Sequence, residues 1–269
     1  MIGQRVIQAR IEEMIPNFPR FLILEGAWGS GKKLLAKQIS KMLNLEFVLV
    51  GTGVSDVRDA IASSNTVTVP TMYVIADADS MSVVAKNALL KVLEEPSNNA
   101  YFVMTLQSTE FMLPTILSRG QVLSMDLYTT DDILAYYNGF GQDIDEVERA
   151  VVRCCCETPG EVELLRSQNA KEFKDYVQLV FDNIAKVSGS NSFKMSSKLA
   201  LKSGDEGFDL PLFWKMFIQL CEEHILDDSR KYSKGILVTT KYLNSLKNVS
   251  LNKQYIFDMW LLDIRKRWI

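Results

Sequence analysis

The sequence predicts an α/β protein in which a mainly parallel sheet comes first and helices follow. Three observations carry this class. Short apolar runs alternate with helix-patterned segments up to about residue 126, a glycine-rich loop joins the first run to the first helix, and beyond that point the strand signal fades. Apolar runs separated by helical segments are the pattern of parallel strands covered on both faces.

The first strand is expected in RFLILEG, Arg20 to Gly26. After it, SGKKLLAKQISKML repeats apolar residues at helical spacing (Leu34, Leu35, Ile39, Leu43). Four further strands are expected in EFVLVG (Glu46 to Gly51), MYVIAD (Met72 to Asp77), YFVMTL (Tyr101 to Leu106) and QVLSMD (Gln121 to Asp126). The clearest helix is SVVAKNALLKVLEEP, with Val84, Ala88, Leu89, Val92 and Leu93 on one face and Pro96 as its stop. A small helical domain is expected at 127–168. It opens with capping chemistry at Thr129 to Asp132 and contains two helices broken at Thr158, Pro159 and Gly160. Residues 169–269 read as a third, helical region with an apolar face at Leu212, Phe213, Met216, Phe217 and Leu220, interrupted by loop-rich stretches at 187–198 and 202–209.

With 269 residues, 47% of them apolar, and a formal charge of −3, the chain has ample core and is not a disordered polymer. The charge is uneven: residues 1–168 carry 14 basic and 21 acidic side chains, residues 169–269 carry 16 and 12. That mild basic bias is too weak to argue nucleic-acid binding by itself. Cys154, Cys155, Cys156 and Cys221 offer neither a C-x-x-C ligand pair nor a disulfide framework, which fits a reducing cytoplasm. Residues 1–20 lack the pattern of a signal peptide, and no run approaches the length of a membrane span, so neither export nor membrane insertion is expected.

GAWGSGKK, Gly26 to Lys33, is close to the phosphate-binding form G-x-x-x-x-G-K-[ST]. Gly26, Gly29 and Gly31 leave backbone N–H groups free to surround an anion at a helix start, and Lys32 supplies the neutralising ammonium. Lys33 stands where a hydroxyl would ligate Mg²⁺. Binding is compatible with this loop; catalysis is not supported by it. The alternative is a tight strand-to-helix turn that needs its glycines for geometry alone. In MYVIADADSMS, Asp77 is the candidate carboxylate for water polarisation, with capping or a solvated turn as the other reading.

Residues 86–121, KNALLKVLEEPSNNAYFVMTLQSTEFMLPTILSRGQ, resemble the signature of bacterial sliding-clamp-loader subunits, and the opening MIGQ resembles the I-G-Q start of the same family. The resemblance covers residues 1–126 strongly and CCETPGEVELL weakly. It implies the AAA+ class: a P-loop NTPase-like sheet domain (1–126), a helical lid (127–168) and an all-α collar (169–269) through which five subunits form an open ring. It also implies a DNA polymerase III setting, with other loader subunits, a sliding clamp and primer-template DNA as partners.

Against that family the departures are specific. Lys33 replaces the metal-binding hydroxyl, Ala76 falls at the metal-associated Asp, and Asp77 stands in for the catalytic Glu. Leu106 and Gln107 occupy the place of a γ-phosphate-sensing Thr pair, and Gly160 that of a lid Arg. Ser118 and Arg119 match the S-R-C motif whose Arg reaches a neighbour's ATP, while Gly120 replaces the Cys. The pattern resembles the delta-prime-type subunit. It implies a non-hydrolysing chain that gives Arg119 in trans, requires no cofactor and holds ATP or ADP, if either, without turnover. Two alternatives stay open: an active AAA+ ATPase using Lys32 and Asp77, and an adaptor recruiting a helicase or polymerase, in which Arg119 is an ordinary surface residue.

The remaining candidates are bland. The four-cysteine zinc module that active subunits of this family often carry has no counterpart between Lys33 and Pro70, so no metal is expected. His224 reads as a surface residue among acids, the cysteine triplet as a helix segment alternating between core and solvent, and IRKRWI as a solvated helix end.

Overall fold

The computed structural model describes residues 3–141, 145–186, 195–201, 207–246 and 252–268. Ile2 of the I-G-Q start lies outside them, as do 187–194 and 202–206 of the two expected loop stretches. Contacts group the chain into two units, residues 1–132 with 158–160, and 133–157 with 161–269. The helices expected as a separate lid thus divide between these units, most of them grouping with the C-terminal helices.

Five parallel strands form the sheet of the first unit: β1 (Phe21–Glu25), β2 (Glu46–Val50), β3 (Thr71–Ile75), β4 (Ala100–Leu106) and β5 (Gln121–Ser124). Their order is β2-β3-β4-β1-β5, so β1 lies between β4 and β5, with Ile23 opposite Met104 on one side and Val122 on the other. Each strand falls within a residue or two of the run expected for it. The helices are α1 (Arg5–Met14), α2 (Lys32–Met42), α3 (Val54–Thr66), α4 (Val83–Glu94) and the single turn α5 (Pro114–Leu117).

Two apolar layers hold the sheet. One face packs Phe21, Ile23, Tyr73, Ile75, Phe102 and Met104 with the buried sides of α3 and α4; the other packs Leu22, Leu24, Val74 and Val103 with α1 and α2. Burial on both faces is why these strands read as continuous apolar runs instead of alternating ones.

Two helix faces differ from expectation. On α4 the buried side is Ala85, Leu89, Val92 and Leu93, while Val84 is exposed; on α2 it is Leu35, Ala36 and Ile39, while Leu34 is exposed. At ~100° per residue, the neighbouring position is the one that faces the sheet. The helix α1 was not anticipated at all. Its start is held by Asp126, whose Oδ2 accepts from Val6 N (2.9 Å) and Ile7 N (3.3 Å). Gln4, fully buried, donates Nε2 to Asp126 O (2.7 Å) and accepts from Asp126 N (2.9 Å). The Gln of the I-G-Q start therefore ties α1 to the chain just past β5.

The helices that follow are α6 (Thr130–Asn138), α7 (Glu146–Cys155), α8 (Pro159–Arg166), α9 (Ala170–Asn183), α10 (Leu210–Glu223), α11 (Ser229–Ser245) and α12 (Lys253–Trp268). A short parallel pair, β6 (Leu199–Ala200) with β7 (Phe208–Asp209), sits among them. Pro159 and Gly160, expected to break a helix, instead begin α8, because a first-turn proline has no intrahelical N–H partner to lose. The second unit's core is aromatic: Phe213, Trp214, Phe217, Phe257 and Trp260 are fully buried, and Phe217 meets Trp260 edge to face at 5.0 Å.

Asp209 caps α10 by accepting from Leu212 N at 3.2 Å. Burial pushes its carboxyl above the usual range, against the opposing pull of the Leu212 bond and of Lys253 and Lys215. A raised folded value means that its contribution to stability declines as pH rises through the carboxylate range. Asp209→Asn keeps the cap and removes the buried charge, so its urea midpoint at pH 7 is expected at or above wild type, whereas Asp209→Ala costs about 1 kcal/mol.

Candidate functional site

The loop from Gly26 to Lys33 lies at the carboxyl end of β1, where parallel sheets place ligands. Gly29 and Gly31 have φ of +75° and +89°, a conformation that L side chains rarely adopt, so both glycines are set by backbone geometry. Gly31 is also the N-cap of α2, and no side chain caps it. The loop therefore has the strand, turn and helix start that an anion cradle needs.

The contents of the cradle come from the chain itself. Lys32 is buried, and its Nζ donates to Gly26 O (2.6 Å) and Ala27 O (2.7 Å). Burial pulls this ammonium below the ordinary lysine range, and the Asp77 and Asp79 carboxylates oppose the shift. Gly160 N donates to Gly29 O at 3.0 Å. A Cβ at Gly160 would lie 2.5 Å from Gly29 Cα, and one at Gly29 would lie 2.7 Å from Thr158 Oγ1. The backbone of Thr158 to Gly160 is thus pressed against the middle of the loop. Tyr128 closes a further edge by donating its hydroxyl to Ser30 O at 2.8 Å.

The metal side of the site is equally altered. Lys33 is exposed on α2, and Ala76 carries no ligand atom. Asp77 is exposed and left-handed (φ 54°), with its N–H donating to Thr105 Oγ1 at 3.1 Å. Asp79 Oδ2 accepts from Gln107 N at 3.0 Å, so Gln107 meets a carboxylate through its backbone. Neither Lys33 nor Ala76 provides an oxygen for a magnesium shell, and the loop's ammonium is bonded to its own carbonyls.

Sequence reasoning missed two groups that organise this end of the sheet. Glu25, the last residue of β1, accepts from Thr109 N (2.8 Å) and Thr109 Oγ1 (3.0 Å) and, at its other oxygen, from Ser124 Oγ (3.2 Å). Lys86 is buried on α4 and donates to Phe111 O (2.8 Å) and Asp79 O (3.3 Å), joining the loops that follow β3 and β4. Nothing in a single sequence marks either residue, since the partners are mostly backbone atoms distant along the chain.

Arg119 is placed apart from these contacts, just after α5. One Nη donates to Thr115 O and the other forms an ion pair with Glu94 at the end of α4. Its Nε is buried without a partner, and the side chain retains 27% of its exposure. The structure therefore joins Gly26, Gly29, Gly31, Lys32, Lys33 and Asp77 at one end of the sheet and gives Arg119 surroundings of its own.

The other candidates are structural. Cys154 is exposed while Cys155, Cys156 and Cys221 are buried, and burial drives the Cys156 thiol up to about 12. His224 stacks on Phe181 (5.6 Å), and its Nδ1 lies 2.8 Å from Asp227 Oδ2. Among the described residues no group of three or more His, Cys, Asp or Glu side chains is placed to hold a metal, and no helix is long and apolar enough to cross a membrane.

Comparison with known proteins adds similarities of sequence and fold. Residues 52–128 match the family described as DNA polymerase III, delta subunit. DNA polymerase III subunit delta' of Bacillus subtilis is 42% identical over 52 residues, a stretch that covers 19% of this chain and 16% of that protein. Among solved structures, a DNA polymerase III gamma subunit-related protein from Thermotoga maritima superposes with a TM-score of 0.53 at 14% identity, covering 99% of both chains. Thermotoga maritima RuvB gives 0.52 at 17% identity, covering 85% of this chain and 78% of that one. At such identities the structures establish the fold alone, AAA+ with helices following it, and the matched stretches span less than a quarter of the delta-prime relatives' length. The chain thus has an AAA+ fold and, over a central stretch, is similar to delta-prime subunits of DNA polymerase III.

Proposed function

We propose that this protein is a non-hydrolysing clamp-loader subunit that helps place a sliding clamp on primer-template DNA in the cytoplasm. Other loader subunits are its partners in a five-membered ring, joined through the C-terminal helices. Its chemical contribution is Arg119, offered to nucleotide held by a neighbouring ATPase, and it requires no nucleotide of its own.

The observation that carries this reading is the self-filled loop: Lys32 bonded to Gly26 O and Ala27 O, with Gly160 against Gly29. A lysine already satisfied by carbonyls, beside a helix start without a metal-binding hydroxyl, supports a structural role for the cradle. The isolated protein is expected to show only background ATP turnover, unchanged in Lys32→Ala. Steady-state turnover that Lys32→Ala abolishes would establish an active ATPase instead. A second reading is favoured by the Arg119–Glu94 pair: if that Arg serves only to join α4 and α5, the protein is an adaptor for a helicase or polymerase.

A further inference from the structure

Glu94 occupies an unfavourable place. It is the last residue of α4, where the helix dipole is negative and a carboxylate gains nothing from the backbone. It is half exposed, free to rotate into water, yet it is turned onto Arg119. Arg119 meets a second negative end on its other side, because Thr115 O belongs to the single turn α5 and also accepts from Ser118 Oγ at 3.1 Å. One guanidinium thus bridges the carboxyl ends of two helices, with a full negative charge on one Nη, a carbonyl on the other and no partner for Nε.

A guanidinium stabilises phosphoryl transfer by bringing an uncompensated charge and a forked set of donors to oxygens that become more negative. In the arrangement seen here both properties are already engaged. The charge is matched by Glu94, and each Nη has one donor committed. We infer that Glu94 is a positioning residue that parks Arg119 within its own chain, so that only an anion able to outcompete a carboxylate draws the finger out. This inference rests on the trans-finger reading above. Its energetic logic is a population shift: the Arg is available to a neighbour only in the fraction of molecules in which the Glu94 pair is open, and apparent affinity for the partner anion falls by that fraction.

Removing the carboxylate should raise that fraction without touching the guanidinium. In the isolated protein, Arg119 of Glu94→Gln is expected to form its phenylglyoxal adduct ~5-fold faster than in wild type, read by mass spectrometry at that residue, with Glu94→Asp in between. In the complex reconstituted with its ATPase partners, Glu94→Gln is expected to raise kcat/KM for ATP by ~3-fold or more. Equal adduct rates in wild type and Glu94→Gln would overturn the inference on the isolated chain, whatever Arg119 does in a complex. A fall in kcat at unchanged KM would also overturn it, by making Glu94 a residue that aims the finger. Failure of the finger reading looks different: Arg119→Ala then leaves turnover intact while the adduct rates still separate.

Discussion

Arg119→Ala is expected to leave assembly intact and to lower the DNA-dependent ATPase of the reconstituted complex by ~10-fold or more, with 10³-fold within the range of fingers supplied in trans. The side chain is placed for loss without collapse. It keeps 27% of its exposure and is no member of the apolar core that Ile116, Leu89 and Leu93 help to form. Truncation releases Glu94 to water, where a half-exposed carboxylate needs no partner, so the cost in stability is that of a surface ion pair, about 0–1 kcal/mol. An effect on turnover much larger than that therefore has to arise in the transition state of a neighbour. Arg119→Lys is expected to rescue little, because an ammonium cannot give two parallel donors. The measurement is ATP turnover with clamp and primed DNA, beside size-exclusion chromatography of the same preparation. An assembled mutant complex with wild-type turnover would favour the adaptor reading.

Much of the sheet was legible because its inner strands β1, β3 and β4 are buried on both faces and announce themselves as apolar runs; Leu22, Ile23, Val74 and Val103 are examples. The helix faces were less legible. Runs such as Val83-Val84-Ala85 and Leu34-Leu35-Ala36 contain more apolar residues than one face can bury, and only packing decides that Ala85 and Leu35 turn inward. The candidate loop was legible as a motif, since Gly29 and Gly31 answer to backbone torsion. What fills it was not. Gly160 is 131 positions from Gly29 in sequence, and its importance lies in a backbone N–H and in lacking a side chain. The Arg119–Glu94 pair escaped for a similar reason: both residues belong to one recognisable signature, but the signature does not say that they face each other.

Breaking the ion pair at Lys215 is expected to cost the second unit a large part of its stability. Lys215 on α10 donates to Glu161 Oε1 at 2.7 Å and to Glu157 Oε2 at 2.9 Å. Its side chain and that of Glu161 are only 13% and 14% exposed, whereas Glu157 is 77% exposed, so the pair with Glu161 dominates. Glu161 is also fixed from behind, accepting from Glu157 N at 2.7 Å. Lys215→Ala strands a buried carboxylate and is expected to cost ~3–5 kcal/mol in urea unfolding, while Lys215→Met with Glu161→Leu, which removes both charges, is expected to return near wild type. Glu157→Gln should cost no more than about 1 kcal/mol. The pH dependence follows from the same geometry. Burial lowers the Lys215 value, but the charge and hydrogen bond of Glu161, with those of Glu157, outweigh it and leave the ammonium above its ordinary 10.5. A raised value in the folded state makes the contribution complete below pH 10.5 and lost as pH climbs through the folded value. Wild type should therefore lose stability above pH 10.5 in a step that the doubly substituted protein lacks. If Lys215→Ala unfolds at the wild-type urea concentration, the weight given to this buried pair is wrong.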